Sequence, residues 1–126
     1  METAVEMFAA VNFVIIGLSH ITQPTAWAEF FVWLRERGHA GVFVNGFISL
    51  GFGSIVVAFH NVWTGIPAIL TVYGWLLILK ALIAFTLPSY AMKSLQLVNP
   101  GNAKKFAVAG FGLLVLGGLL IYSVAG

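Results

Sequence analysis

The chain has 126 residues, 60% of them hydrophobic and only 8% charged, with a formal net charge of +2 and a mean hydropathy of +1.01. A soluble domain carries about 25% charged residues, so a water-facing surface cannot be made from this sequence. Six basic residues spread along the chain form no phosphate-tracking stripe, which removes nucleic acid as a partner. The absence of cysteine removes disulfides, thiolate metal sites and cysteine nucleophiles.

A bilayer core about 30 Å thick is crossed by about 20 apolar residues at 1.5 Å each. Four stretches span or nearly span it: residues 3–20, 41–62, 66–87 and 106–124. The first follows an acidic opening, with Glu2 and Glu6, instead of the basic start of a signal peptide, and predicts a retained span. Asn12 lies midway along it and His20 at its end.

After Pro24, apolar residues recur at Trp27, Phe30, Phe31 and Leu34, the spacing of one helical face. Glu29, Glu36 and Arg37 lie largely off that face, and Gly38 can cap its end. A short aromatic-rich helix between two spans is expected to lie in the membrane interface; the alternative is an extension of the second span. That second span begins near His39, carries Asn45, Gly46, Ser49 and Gly53, and ends near His60. An uncharged connection follows at residues 61–65.

The third span starts with Pro67 and holds Lys80 in an apolar setting; Pro88 should end or kink it. Residues 89–98 read as a further amphipathic turn or two, closed by the loop signal Asn99-Pro100-Gly101-Asn102. The fourth span carries small residues at Ala103, Ala107, Gly110 and Gly117. Together with Gly46 and Gly53 they form packing faces, either within the bundle or between subunits. The expected fold is all-α, a single polytopic domain over residues 1–126. It consists of four antiparallel transmembrane helices with a short interfacial amphipathic helix between spans 1 and 2. No internal repeat supports an inverted-repeat transporter.

Arg35, Arg37, Lys93, Lys104 and Lys105 all fall in the first and third connections. The positive-inside rule then predicts a bacterial inner-membrane protein with both termini periplasmic and loops 1 and 3 cytoplasmic.

Three groups of residues are candidates for chemistry. Lys80 costs about 2.5–3.5 kcal/mol near the centre of a span, and either snorkels to the nearer boundary on its flexible stem or is held inward by polar groups. By depth it shares a layer with Asn12, Asn45 and Ser49, which is either structural glue or a site for a polar or anionic head group. At the opposite face, Glu6 and His60 are either both solvated at the headgroup level or paired, and such a pair can gate or relay protons. His20 and His39, at one boundary, are the candidates for bis-histidine haem ligation; His39 and His60 lie about 31 Å apart along a helix and cannot share a metal. No metal-binding spacing, no Asp and no catalytic set are present, so no enzymatic activity is expected.

In length and span count the chain is similar to small multidrug exporters and small fluoride channels. The embedded glutamate of the former and the Gly-Arg-rich opening of the latter are missing, so neither family is assigned. The expected function is that of a small non-enzymatic subunit or scaffold. It would pack with itself or a larger membrane complex, among membrane lipid, and hold a lipid, quinone or pigment. The alternatives are an oligomeric transporter or channel for a polar or anionic solute at the Lys/Asn layer, and a haem-binding electron carrier.

Overall fold

A computed structural model describes residues 1–98 and 100–125. Six helices follow one another: α1 (Glu2–Thr22), α2 (Pro24–Glu36), α3 (His39–Phe59), α4 (Pro67–Thr86), α5 (Pro88–Gln96) and α6 (Lys104–Ala125). No strand occurs among the described residues. Four of these helices, α1, α3, α4 and α6, are long and apolar enough to cross a membrane. Large apolar side chains such as Ile15, Phe47, Leu76 and Phe111 stay exposed around the bundle, the surface of a protein solvated by lipid tails.

Proline starts three of the helices, Pro24 in α2, Pro67 in α4 and Pro88 in α5. Its fixed φ suits the first turn, where its missing N–H has no acceptor to lose. Between α2 and α3 the chain turns at Gly38, whose φ of +63° only glycine adopts without strain.

The spans pack as two antiparallel pairs, α1 with α6 and α3 with α4. Both pairs are built on backbone contact. A Cβ placed at Gly17 would lie 2.7 Å from the carbonyl oxygen of Gly110, and one at Gly110 would lie 2.6 Å from that of Gly17. Gly117 meets Ala10 and Val14 of α1. In the second pair Gly46 meets Ala84 and Phe85, and Gly53 meets Gly74 and Leu77. The small-residue faces expected to pack either within the bundle or between subunits are therefore occupied inside one chain. Glycines that meet nothing, Gly51, Gly112 and Gly118, face outward.

Between the two pairs, α1 touches α3 and α4 only lightly, and the two ends of the bundle do the joining. At the end that carries the termini, Val5, Ala9, Ala10 and Phe13 of α1 share a core with Val56, Leu70 and Leu120. The rings of Phe13, Phe52 and Tyr73 interlock there, Phe13 meeting Tyr73 edge-on at 5.1 Å between centroids. At the other end α2 and α5 lie against each other and against the spans. Leu34 of α2, Val42, Ala84 and Leu95 of α5 form a second core, with Phe30 and Phe31 packed on it. The Trp27, Phe30, Phe31 and Leu34 face of α2 is thus turned onto the bundle. Arg35 of α2 fastens this end by donating to the Val98 carbonyl, 2.8 Å away.

Two boundaries differ from those read in the sequence. α3 stops at Phe59 instead of 62, because His60 leaves the helix at φ −142°, ψ 88° to turn its ring inward. Pro88 starts a separate nine-residue helix instead of a turn or two. Of the loop signal at 99–102, Asn99 lies outside the described residues, and Pro100–Asn102 form a single 3-10 turn.

Replacing Gly110 by Leu drives a side chain into the α1 backbone; overpacking of this kind costs about 1–3 kcal/mol or more. Gly112→Leu, two residues away and facing open space, should change stability by less than about 0.5 kcal/mol. Unfolding of both variants in detergent micelles checks the contrast, which must appear in monomeric protein if the glycine face is internal.

Candidate functional site

Two polar clusters stand out against the apolar bundle, one at each end. The first is built from α1, the end of α3 and α4. The inward stripe of α1 runs Val5, Glu6, Ala9, Ala10, Phe13, so Glu6 is turned into the core and is only 7% exposed, whereas Glu2 stays exposed. His60 is wholly buried. Its Nε2 lies 3.0 Å from Glu6 Oε2 and its Nδ1 lies 3.0 Å from Thr71 Oγ1. Thr71, also buried, lies 2.7 Å from the Val62 carbonyl through the same Oγ1.

The proton positions follow from what each atom can do. A carbonyl only accepts, so the one hydroxyl hydrogen of Thr71 goes to Val62, and Thr71 Oγ1 accepts from His60 Nδ1–H. Between Nε2 and the Glu6 carboxyl a single further proton completes the chain. Every polar atom is then partnered, consistent with the absence of buried unsatisfied side-chain atoms among the described residues.

The second cluster lines a cavity of about 250 Å³ between α3, α4 and α5. Asn45 and Lys80 supply polar heads, Tyr90 and Ser94 of α5 add hydroxyls, and Val42, Leu76 and Ile83 are among the apolar walls. Leu76 and Leu79 are exposed on the bundle surface, so the cavity opens sideways toward lipid. Neither Lys80 nor Asn45 makes a hydrogen bond or ion pair within the described residues. The only ion pair there is Glu6–His60.

The four residues expected to form one polar layer are thus divided. Lys80 and Asn45 share the cavity; Ser49 is buried on the α3 stripe that faces α4. Asn12 does not join them, because its amide donates to the Phe8 carbonyl one turn back in α1, at 2.8 Å. An asparagine inside a helix can satisfy itself this way without a neighbour. The two haem candidates have different surroundings. His20 donates from Nδ1 to the Ile16 carbonyl and stacks on Trp27, with centroids 4.1 Å apart. His39 is the exposed first residue of α3, and no hydrogen bond or ring contact links the two. No group of three or more potential metal-ligating side chains occurs among the described residues.

Sequence reasoning missed Thr71, Tyr90 and Ser94. A threonine in the second turn of a span, just after a connection this short, was the available signal for the first. For the others it was the polar side of the segment after Pro88.

The fold and these clusters define the class: a four-span helical membrane protein with a closed polar network at one end and a lysine within a span that has no partner among the described residues. Against known protein families, curated proteins and solved structures, the chain finds no match.

Removing one partner of a buried pair strands the other. Glu6→Ala should therefore destabilise the protein by about 3 kcal/mol, while Glu2→Ala, one turn earlier on α1, should leave stability within about 0.5 kcal/mol. Denaturant unfolding of both in the same detergent decides it.

Proposed function

We propose that this protein is a non-enzymatic membrane-embedded holder of a lipid-like ligand, whose acidic head group sits against Lys80 in the sideways cavity. It acts as a small subunit or scaffold in its membrane. One observation carries this reading: a lysine inside a span, beside an unpartnered Asn45, with no carboxylate bonded to it.

The energetics favour an anion there. An uncompensated lysine at this depth costs about 2.5–3.5 kcal/mol. A negative group 4 Å away returns about 4 kcal/mol at an effective dielectric of 20, so a bound anion offsets the penalty. The apolar walls and lateral opening suit the chain of an amphiphile better than a free ion. The core of Val5, Phe13, Val56 and Leu70 lies at the other end of the bundle, which argues for holding a ligand over passing it from one face to the other. Because the glycine faces are occupied within the chain, association with a partner complex would use the outward apolar surface instead.

The orientation belongs to the same proposal. Arg35, Arg37, Lys93, Lys104 and Lys105 all lie on α2, in the turn that follows it, on α5 or at the start of α6, which supports that end as cytoplasmic in a bacterial inner membrane. The cavity then opens nearer the cytoplasmic leaflet.

Lys80→Met tests the reading in two ways. Retention of acidic lipid by protein extracted in mild detergent, read by native mass spectrometry, should fall about tenfold or more, equivalent to about 1.4 kcal/mol or more. Stripped of lipid, the variant should be more stable than the parent, since the charge penalty is gone. Equal retention of acidic lipid by parent and variant would sink the proposal.

A further inference from the structure

The Glu6–His60–Thr71 network has no part in the lysine cavity. We infer that it is a proton-binding site whose occupancy controls the hold on the connection between α3 and α4.

The argument is a count of hydrogens over fixed positions. With one proton shared between Nε2 and Glu6, the ring keeps Nδ1–H, Thr71 accepts it, and the Thr71 hydroxyl holds the Val62 carbonyl at 2.7 Å. Withdraw the shared proton and the network becomes anionic. If the ring keeps its Nδ1–H tautomer, the Nε2 lone pair faces a carboxylate oxygen at 3.0 Å, an arrangement of two acceptors. If the ring moves its hydrogen to Nε2, it can donate to Glu6, and Nδ1 becomes an acceptor. The Thr71 hydroxyl must then turn from Val62 to Nδ1. The deprotonated network can bind Glu6 or Val62, but not both.

The proton has one route. His60 is fully enclosed, while Glu6 reaches the surface slightly and lies one turn from exposed Glu2. The leaving proton therefore passes from Nε2 through the Glu6 carboxyl to water at the end that carries the termini.

Few other charges bear on the site. α1 brings Glu2 and the α-amino group of Met1, α4 brings Tyr73 on the rings of Phe13 and Phe52, and α6 brings exposed Tyr122. Residues 61–66 carry no titratable group, and α3 carries only His39 at its far end. Lys80 is nine residues beyond Thr71 on α4, about 13 Å along the helix.

Release of Val62 loosens a short segment. Residues 60–66 contain Gly65 at φ +70° and exposed Trp63; between His60 and the start of α4, Thr71 on the Val62 carbonyl and the Asn61 amide on the Val57 carbonyl are the bonds that hold residues 61–64 to the helices.

The test uses the full chain in lipid nanodiscs with histidine-selective ¹⁵N labelling, the His60 ring being assigned by its loss in His60→Gln. Ring shifts are followed from acidic to alkaline pH beside the ¹³C shift of the Val62 carbonyl, labelled through valine, which reports whether the Thr71 hydroxyl is bonded to it. In the parent protein the ring should pass from Nδ1–H to Nε2–H as pH rises, and the Val62 carbonyl shift should move to its unbonded position with the same midpoint. Glu6→Gln, whose amide NH₂ can donate to Nε2 without titrating, should keep the Val62 carbonyl bonded at every pH. Thr71→Val should leave it unbonded at every pH. A ring that keeps Nδ1–H throughout, a Val62 step away from the ring's midpoint, or a step that survives in Glu6→Gln each overturns the inference. The parent measurement needs no mutation, so a variant that fails to fold leaves the proposal testable.

Discussion

Lipid tails are as apolar as leucine, so nothing like the hydrophobic effect in water draws two spans of this chain together. Close backbone approach has to do it, and the crossing of Gly17 with Gly110 is where that approach is tightest. The second pair repeats the solution at Gly53 and Gly74. Once each pair is zipped, its remaining polar groups are fixed in depth and direction. Glu6 is then committed to the inner stripe of α1, and Lys80 to the face of α4 that meets α5. Both polar clusters are consequences of how glycine lets these helices touch.

Joining the pairs is a separate matter. Where α1 passes α3 and α4 the contact is slight, and cohesion is moved to the ends. One end uses interlocked rings with a hydrogen-bonded histidine inside them; the other uses α2 and α5 folded over the spans, with Arg35 reaching across 63 positions of sequence to Val98. The contrast in polar satisfaction is instructive. In the Glu6–His60–Thr71 network at the first end each polar side chain has found a partner. In the cavity near the second, Lys80 and Asn45 have found none among the described residues, and an unpaired lysine within a span is costly.

Much of this architecture is legible in the sequence because length and apolarity are set by bilayer thickness. The four spans are read to within a few residues, the exception being the end of α3. There the run of apolar residues continues past Phe59, but the backbone departs so that both ring nitrogens of His60 can be used. The pairing of Glu6 with His60 follows from counting the alternating directions of the spans, and the shared level of Lys80 and Asn45 from the rise per residue. Rotation about each helix axis is what depth arithmetic lacks. Asn12 has the right depth for the lysine layer but answers its own helix at Phe8, and His20 turns to Trp27 instead of His39. Likewise the periodicity of Gly110 and Gly117 marks a contact face, with no indication of whether the partner is the same chain.

The pairing of α1 with α6 also orders events in time. Helices α3 and α4 are neighbours in sequence and can zip as soon as their short connection is made. α1 has to wait for the last of the four spans, since the residues that face Gly17 lie more than 90 positions later, at Gly110 and beyond. At synthesis rates of about 5–20 residues per second, that delay is on the order of 5–20 seconds. During it the first span stands in the bilayer with its glycine groove open to lipid and a carboxyl group on the adjoining stripe.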